Sequence, residues 1–205
     1  MSKTRFNFLH FWQYNKGKVF LTILFIVLIV VGFSQCSLGE KTSLGILYVS
    51  DAQNVDGTDF IDQIKKDVPL SSDDESGDVR FVSVCLPDDP TAPIESGQLD
   101  KMHVEFVTGD STFYIIDEET IYSYEPDGYF YDITSYAEKY SIPEEERYYS
   151  GDGKVIAISA STNSYLKNSP LDCNSLFLAV REHPSSKAPD YENTFKFLEH
   201  ILSNK

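Results

Sequence analysis

The chain reads as an α/β domain carried behind one N-terminal transmembrane helix. Three observations predict this. Val19 to Phe33 is an unbroken apolar run with basic residues on its N-terminal side. Beyond it, short runs of strand-forming residues alternate with helix-periodic segments, the pattern of an α/β fold. The charge divides at the same place. Residues 1–33 hold four basic and no acidic side chains, whereas the remaining 172 hold 13 basic against 32 acidic, a net of −19.

No residue from Val19 to Leu38 is charged. Twenty helical residues at ~1.5 Å each reach about 30 Å, the thickness of a bilayer core. Lys3, Arg5, Lys16 and Lys18 place the N-terminus inside the cell. Phe6, Phe8, Phe11, Trp12 and Tyr14 suit the headgroup level. The expected organisation is a cytoplasmic basic and aromatic tail over 1–18, a span over 19–38, a linker over 39–43 and an extracytoplasmic α/β domain over 44–205. That describes a single-pass cell-membrane protein with its C-terminal domain outside. A cleaved signal peptide competes with this reading, because Gly32 and Ser34 are small and correctly spaced. The long aromatic segment before the apolar run opposes it. Gln35 is too bulky before Cys36 for a lipoprotein site.

The outer domain is expected element by element. Leu44–Val49 is a strand, and Asp56-Gly57-Thr58 opens a helix with Phe60, Ile61 and Ile64 on one face, stopped by Pro69. Val79–Leu86 is a second strand. Leu99–Val107 is a helix burying Leu99, Met102, His103 and Phe106, and Thr112–Ile116 is a third strand. Asp117–Tyr124 starts another helix, ended by the turn at Pro126-Asp127-Gly128, and Asp132–Tyr140 is a further short helix. Lys154–Ala160 and Ser175–Arg181 are strands. The helix Asp190–Leu202 closes the chain, with Phe195, Leu198, Ile201 and Leu202 inward.

The acidic balance repels phosphate backbones and excludes nucleic acid as a partner. The segment Ala52–Gln63 fails as a calcium loop, lacking both the acid at its first position and the glutamate at its last. Asp73, Asp74, Glu75 and Asp78 read as a solvated loop. The histidines are scattered and there is no C-x-x-C, so no metal centre is expected. Ser164 and Lys167 match S-x-x-K without the partner motifs of that chemistry. Cys85 and Cys173 could pair outside the cell, with free buried thiols the preferred alternative. Between Tyr122 and Tyr149 lie eight tyrosines, suited either to a sugar or protein surface or to the wall of a small core.

Gly109–Thr134 resembles the first-lobe segment of the extracellular solute-binding proteins of bacterial ABC importers. The matching positions are Gly109, Asp110, Asp117, Glu118, Gly128, Phe130 and Asp132. The C-terminal stretch is similar to the end of such proteins, through Glu192, Asn193, Lys196, Phe197 and Leu198. The outer domain has room for about one of the two lobes that family carries. The resemblance implies an α/β lobe outside the membrane and, by the rule for open α/β sheets, a cleft at the carboxyl ends of the strands. That places ligand contacts at Asp51, Asp117 and Glu118, with Tyr122 and Tyr124 beside them. The expectation is a non-enzymatic, cofactor-free binding or accessory protein with one membrane span. Its partners would be transporter membrane subunits and a small solute or sugar. The alternatives are a free-standing solute receptor using the tyrosine-rich surface, or an envelope hydrolase using Ser164 and Lys167.

Overall fold

The computed structural model describes Trp12 and residues 15–18, 20–22, 24–27, 42–51, 55–71, 78–86, 97–182 and 191–204. It falls into two units, Met1–Glu40 and Lys41–Lys205. In the first unit, residues 15–18, 20–22 and 24–27 are helical. The Thr22 hydroxyl donates to the Lys18 carbonyl at 2.9 Å, one turn back. Among the described residues no helix is long and apolar enough to cross a membrane. Much of the expected span 19–38, together with Cys36, lies outside them.

The second unit is an α/β domain built on one six-stranded mixed sheet in the order β2-β1-β3-β6-β5-β4. The strands are β1 (Thr42–Ser50), β2 (Asp78–Cys85), β3 (Phe113–Asp117), β4 (Arg147–Tyr149), β5 (Val155–Ser159) and β6 (Leu176–Val180). The helices are α1 (Thr58–Asp67), α2 (Gln98–Val107), α3 (Glu118–Tyr124), α4 (Thr134–Lys139), α5 (Ser164–Lys167) and α6 (Tyr191–Ser203). β1 pairs in parallel with β2 and β3, whereas the pairs β3–β6, β6–β5 and β5–β4 are antiparallel. The first half is therefore doubly wound, and the second half folds back on itself.

β1 is an interior strand, between β2 and β3, and is buried on both faces. Leu44, Ile46, Leu47, Tyr48 and Val49 are all fully buried. Leu44, Ile46 and Tyr48 join a core with Phe60 and Ile64 of α1, Ala137 of α4, Leu166 of α5 and Phe197 of α6. Leu47 and Val49 face the opposite core with Met102 and Phe106 of α2 and Ile121 of α3. Helices thus cover both faces. Gly45 lies where the Asp110 carbonyl crosses the strand, and a Cβ there would stand 2.3 Å from that oxygen. Both sides of that contact are main chain, so neither can rotate away. Gly45→Ala is expected to destabilise the domain by ~1–3 kcal/mol, read as a lowered urea midpoint at unchanged slope.

Each expected strand and helix of the domain is present, with ends displaced by a residue or two. β1 begins at Thr42, inside the segment expected as linker. On α2, Leu99 (49% exposed) and His103 turn outward, and Glu105 is buried instead with Met102 and Phe106. On α6, Phe197 rather than Phe195 is fully buried, while Phe195 lies under Tyr131 and Tyr136 at the rim. β4 and α5 are additions, too short to carry a periodic signal.

The amino edge of the parallel strands holds most of the buried polar residues. The Glu105 carboxylate takes hydrogen bonds from the Arg80 guanidinium and, at 2.8 Å, from the Ser111 hydroxyl. Asn193 joins three segments: its amide nitrogen donates to the carbonyls of Ser43 and Ser71, and its oxygen accepts from the Ser71 N–H. Arg181, at the end of β6, donates to the carbonyls of Gly109 at 2.6 Å and Val107 at 3.3 Å.

Candidate functional site

The parallel strands β1, β2 and β3 end on one edge at Ser50, Cys85 and Asp117. β6 starts at that edge, Leu176 lying opposite Asp117, and β5 ends there, Ser159 lying opposite Phe177. From β1 the chain leaves to α1 on one face, and from β3 to α3 on the other. The two connections diverge above neighbouring strands, the arrangement that opens a crevice in doubly wound sheets.

The residues expected to line a cleft are distributed as follows. Asp51 is exposed one position beyond β1, and its carbonyl accepts from the Cys85 thiol at 3.8 Å. Asp117 caps α3, its carboxylate accepting the Thr120 N–H at 2.6 Å, which satisfies one of the helix's unpaired donors. Glu118 follows in the exposed first turn. Asp51, Asp117 and Glu118 therefore share the carboxyl edge. Tyr122 is 72% exposed on α3. The Tyr124 ring instead stacks on Phe106 at 3.9 Å and 9°, with its hydroxyl 3.3 Å from His103 Nδ1. It is a packing residue between α2 and α3.

The other tyrosines of the rich segment mostly wall the two cores. Tyr129 and Tyr148 pack on the α2/α3 side. Tyr131, Tyr136 and Tyr140 pack on the α6 side. Of the eight, Tyr122 and Tyr149 are exposed.

A concavity at this edge lies in the β5–β6 connection. Residues 160–175 form a compact surface loop whose ends meet, the Ala160 N–H donating to the Leu176 carbonyl at 2.8 Å. α5 sits inside the loop, capped by Asn163, whose side chain accepts from the Leu166 N–H and donates to the Ile201 carbonyl. The loop is pinned to the sheet by Tyr48, whose hydroxyl donates to the Asp172 carbonyl at 2.7 Å. Burial raises the pKa of that phenol, so it stays protonated more strongly than a free tyrosine. A cavity of about 370 Å³ opens within the loop, with Lys167, Asp172, Cys173 and Asn174 among the residues that line it. No sequence signal marked it except the loose S-x-x-K match, which points to Lys167 for another reason.

The chemistry available there is limited in a specific way. The Ser164 hydroxyl donates to the Asn204 carbonyl, so it is directed to the end of the chain and not to Lys167. Burial pushes the Cys173 thiol up to about 12, and the neighbouring Asp172 adds to it. A thiol so held is protonated at neutral pH and is a poor nucleophile. Cys85 and Cys173 are not joined to each other; Cys173 is buried as expected, whereas Cys85 is only half-buried. Among the described residues no group of three or more His, Cys, Asp or Glu is placed to hold a metal ion. Comparisons with protein-family models, with curated proteins and with solved structures each find no match.

Proposed function

We propose that this chain is a membrane-anchored extracytoplasmic protein that binds or assists and does not catalyse, held in the cell membrane by one N-terminal span and stationed beside the membrane subunits of a transporter. The observation that carries the anchor is the exposure of the first helix. Phe20, Leu21, Leu24, Phe25, Ile26 and Val27 are each between 50% and 71% exposed. At ~100° per residue these positions point all round the helix axis. A helix apolar on every side has no stable place in water and calls for lipid. The basic tail before it orients the acidic domain outward.

A non-catalytic role is supported by the directed Ser164 hydroxyl and the protonated Cys173 thiol. The likeness to a solute-binding-protein lobe is supported by the doubly wound first half of the sheet, and by the shared edge of Asp51, Asp117 and Glu118. A small solute or sugar is the second partner in this reading, with Tyr122 as an exposed stacking surface.

The test is alkaline carbonate extraction of native membranes, followed by mild-detergent purification. The full-length chain should stay with the membrane pellet, its outer domain cleaved by externally added protease, and transporter membrane subunits should co-purify. Release into the carbonate supernatant, or a mature N-terminus beyond Ser34, would remove the anchor. Purification with no membrane partner would remove the accessory role.

A further inference from the structure

We propose that the cavity inside the β5–β6 loop is a binding site for a free α-amino acid with an aliphatic side chain. A free amino acid at neutral pH presents a carboxylate and an ammonium one carbon apart, so a site for it needs a cation and an anion within one small space. Lys167 and Asp172 both line this cavity. Neither has an ion-pair partner within 4.0 Å among the described residues, where the other ion pairs join Lys65, Arg80, Lys139, Lys154 and Lys196 to carboxylates. Ser161 and Asn174 add polar groups at the wall, and Leu166, Pro170 and Leu171 add an apolar surface for a side chain. The volume of about 370 Å³ lies near the lower end of the range for small-molecule sites, about 300–1,000 Å³.

The walls are held before any ligand arrives. The loop ends are tied by the Ala160–Leu176 hydrogen bond, and its middle by the Tyr48 hydroxyl on the Asp172 carbonyl. The Asp172 carboxylate accepts the Asn174 N–H at 3.1 Å, which fixes its direction. Such pre-organisation lowers the cost of ordering on binding. Lys167 and Asp172 stand at the exposed rim of the cavity, and a ligand with one charge would engage only one of them. The domain's net of −19 further disfavours a simple anion. The site lies at the edge where β5 ends and β6 begins. The inference goes beyond the accessory reading and does not rest on it, because binding here requires neither the anchor nor a transporter.

Isothermal titration of the full chain in detergent with L-leucine, 4-methylpentanoate and isopentylamine tests it. L-Leucine should bind saturably. The two analogues, each lacking one charge, should bind at least about tenfold more weakly, as expected for one lost charge-assisted contact. Lys167→Met and Asp172→Asn should each weaken L-leucine by a similar factor. The asparagine keeps the oxygen that accepts the Asn174 N–H, so the loop turn survives, and circular dichroism checks that both variants fold. No saturable heat with L-leucine up to about 10 mM, equal binding of the analogues, or wild-type affinity in both variants would overturn the proposal. None of these outcomes bears on membrane extraction, so failure here is distinct from failure of the anchor.

Discussion

Arg181→Met is expected to destabilise the outer domain by ~3 kcal/mol, combining an unsatisfied buried carbonyl with a lost helix-terminus cation. Arg181 is 2% exposed, and no carboxylate among the described residues lies within ion-pair distance of it. Its guanidinium instead serves the end of α2, donating to the carbonyls of Val107 and Gly109. Those groups have no next helical turn to supply their N–H partners, and the helix dipole leaves partial negative charge there. The residue also holds the main chain together. Its N–H donates to Thr112 and its carbonyl accepts from the Tyr191 hydroxyl, and a side-chain substitution leaves both in place. The effect should therefore report the guanidinium itself. For a domain of this size ~3 kcal/mol lowers the melting temperature by roughly 6–12 °C. Arg181→Lys should recover part of the loss, since an ammonium restores the charge without the two-pronged geometry. A shift below about 1 kcal/mol for Arg181→Met would mean that solvent satisfies these carbonyls as well as the guanidinium does.

The role of Arg181 was not legible in the sequence, and the reason is general to this chain. Local pattern located the elements. The apolar run of β1, the helical spacing of Phe60 and Ile64, and the apolar positions of α6 are each visible within about ten residues. The helix start at Asp117 was equally legible, the helix beginning at the next residue. The polar groups that fix the tertiary structure depend on partners far away in sequence. Glu105 looks like an exposed helical acid until β2 places Arg80 against it. Asp172 looks like a loop acid until Tyr48, 124 positions earlier, reaches its carbonyl. The candidate cavity follows the same logic, being closed by contacts that span the sheet. β4 escaped because three edge residues carry no period, and α5 because four residues are set by the Asn163 cap instead of an apolar stripe. The α/β class followed from alternation, but the doubly wound order of β1, β2 and β3 and the antiparallel return of β6 beside β3 did not.

Alkaline titration is expected to unfold the domain before pH 12. Burial pushes Cys173 up to about 12, and pushes Tyr165 and Tyr191 up to about 12 as well. Tyr48 and Tyr114 are raised by the same cause, and the Tyr114 hydroxyl is buried without a hydrogen-bond partner among the described residues. In the unfolded chain the thiol ionises near its ordinary 9.0 and the phenols near 10.0. Between those values and about 12 the unfolded state has released protons that the folded state still holds, so stability falls as pH rises through that window. Below pH 9 the contribution is fully present and constant. Cys173 accounts for up to ~4 kcal/mol of the loss, the fully buried Tyr114 adds to it, and the more solvent-screened Tyr165 and Tyr191 contribute less each. Against a total of ~5–15 kcal/mol for a typical domain, that sum is enough to unfold it. Ellipticity and absorbance at 295 nm followed together should show the exposed tyrosines, Tyr122 and Tyr149 among them, titrating first without loss of structure. The buried ones should follow in a single cooperative step with unfolding. Cys173→Ala removes one large alkaline penalty and should move that step to higher pH. If all 13 tyrosines titrate as one class while ellipticity stays constant, the phenols are not buried as described and the packing of both cores is wrong.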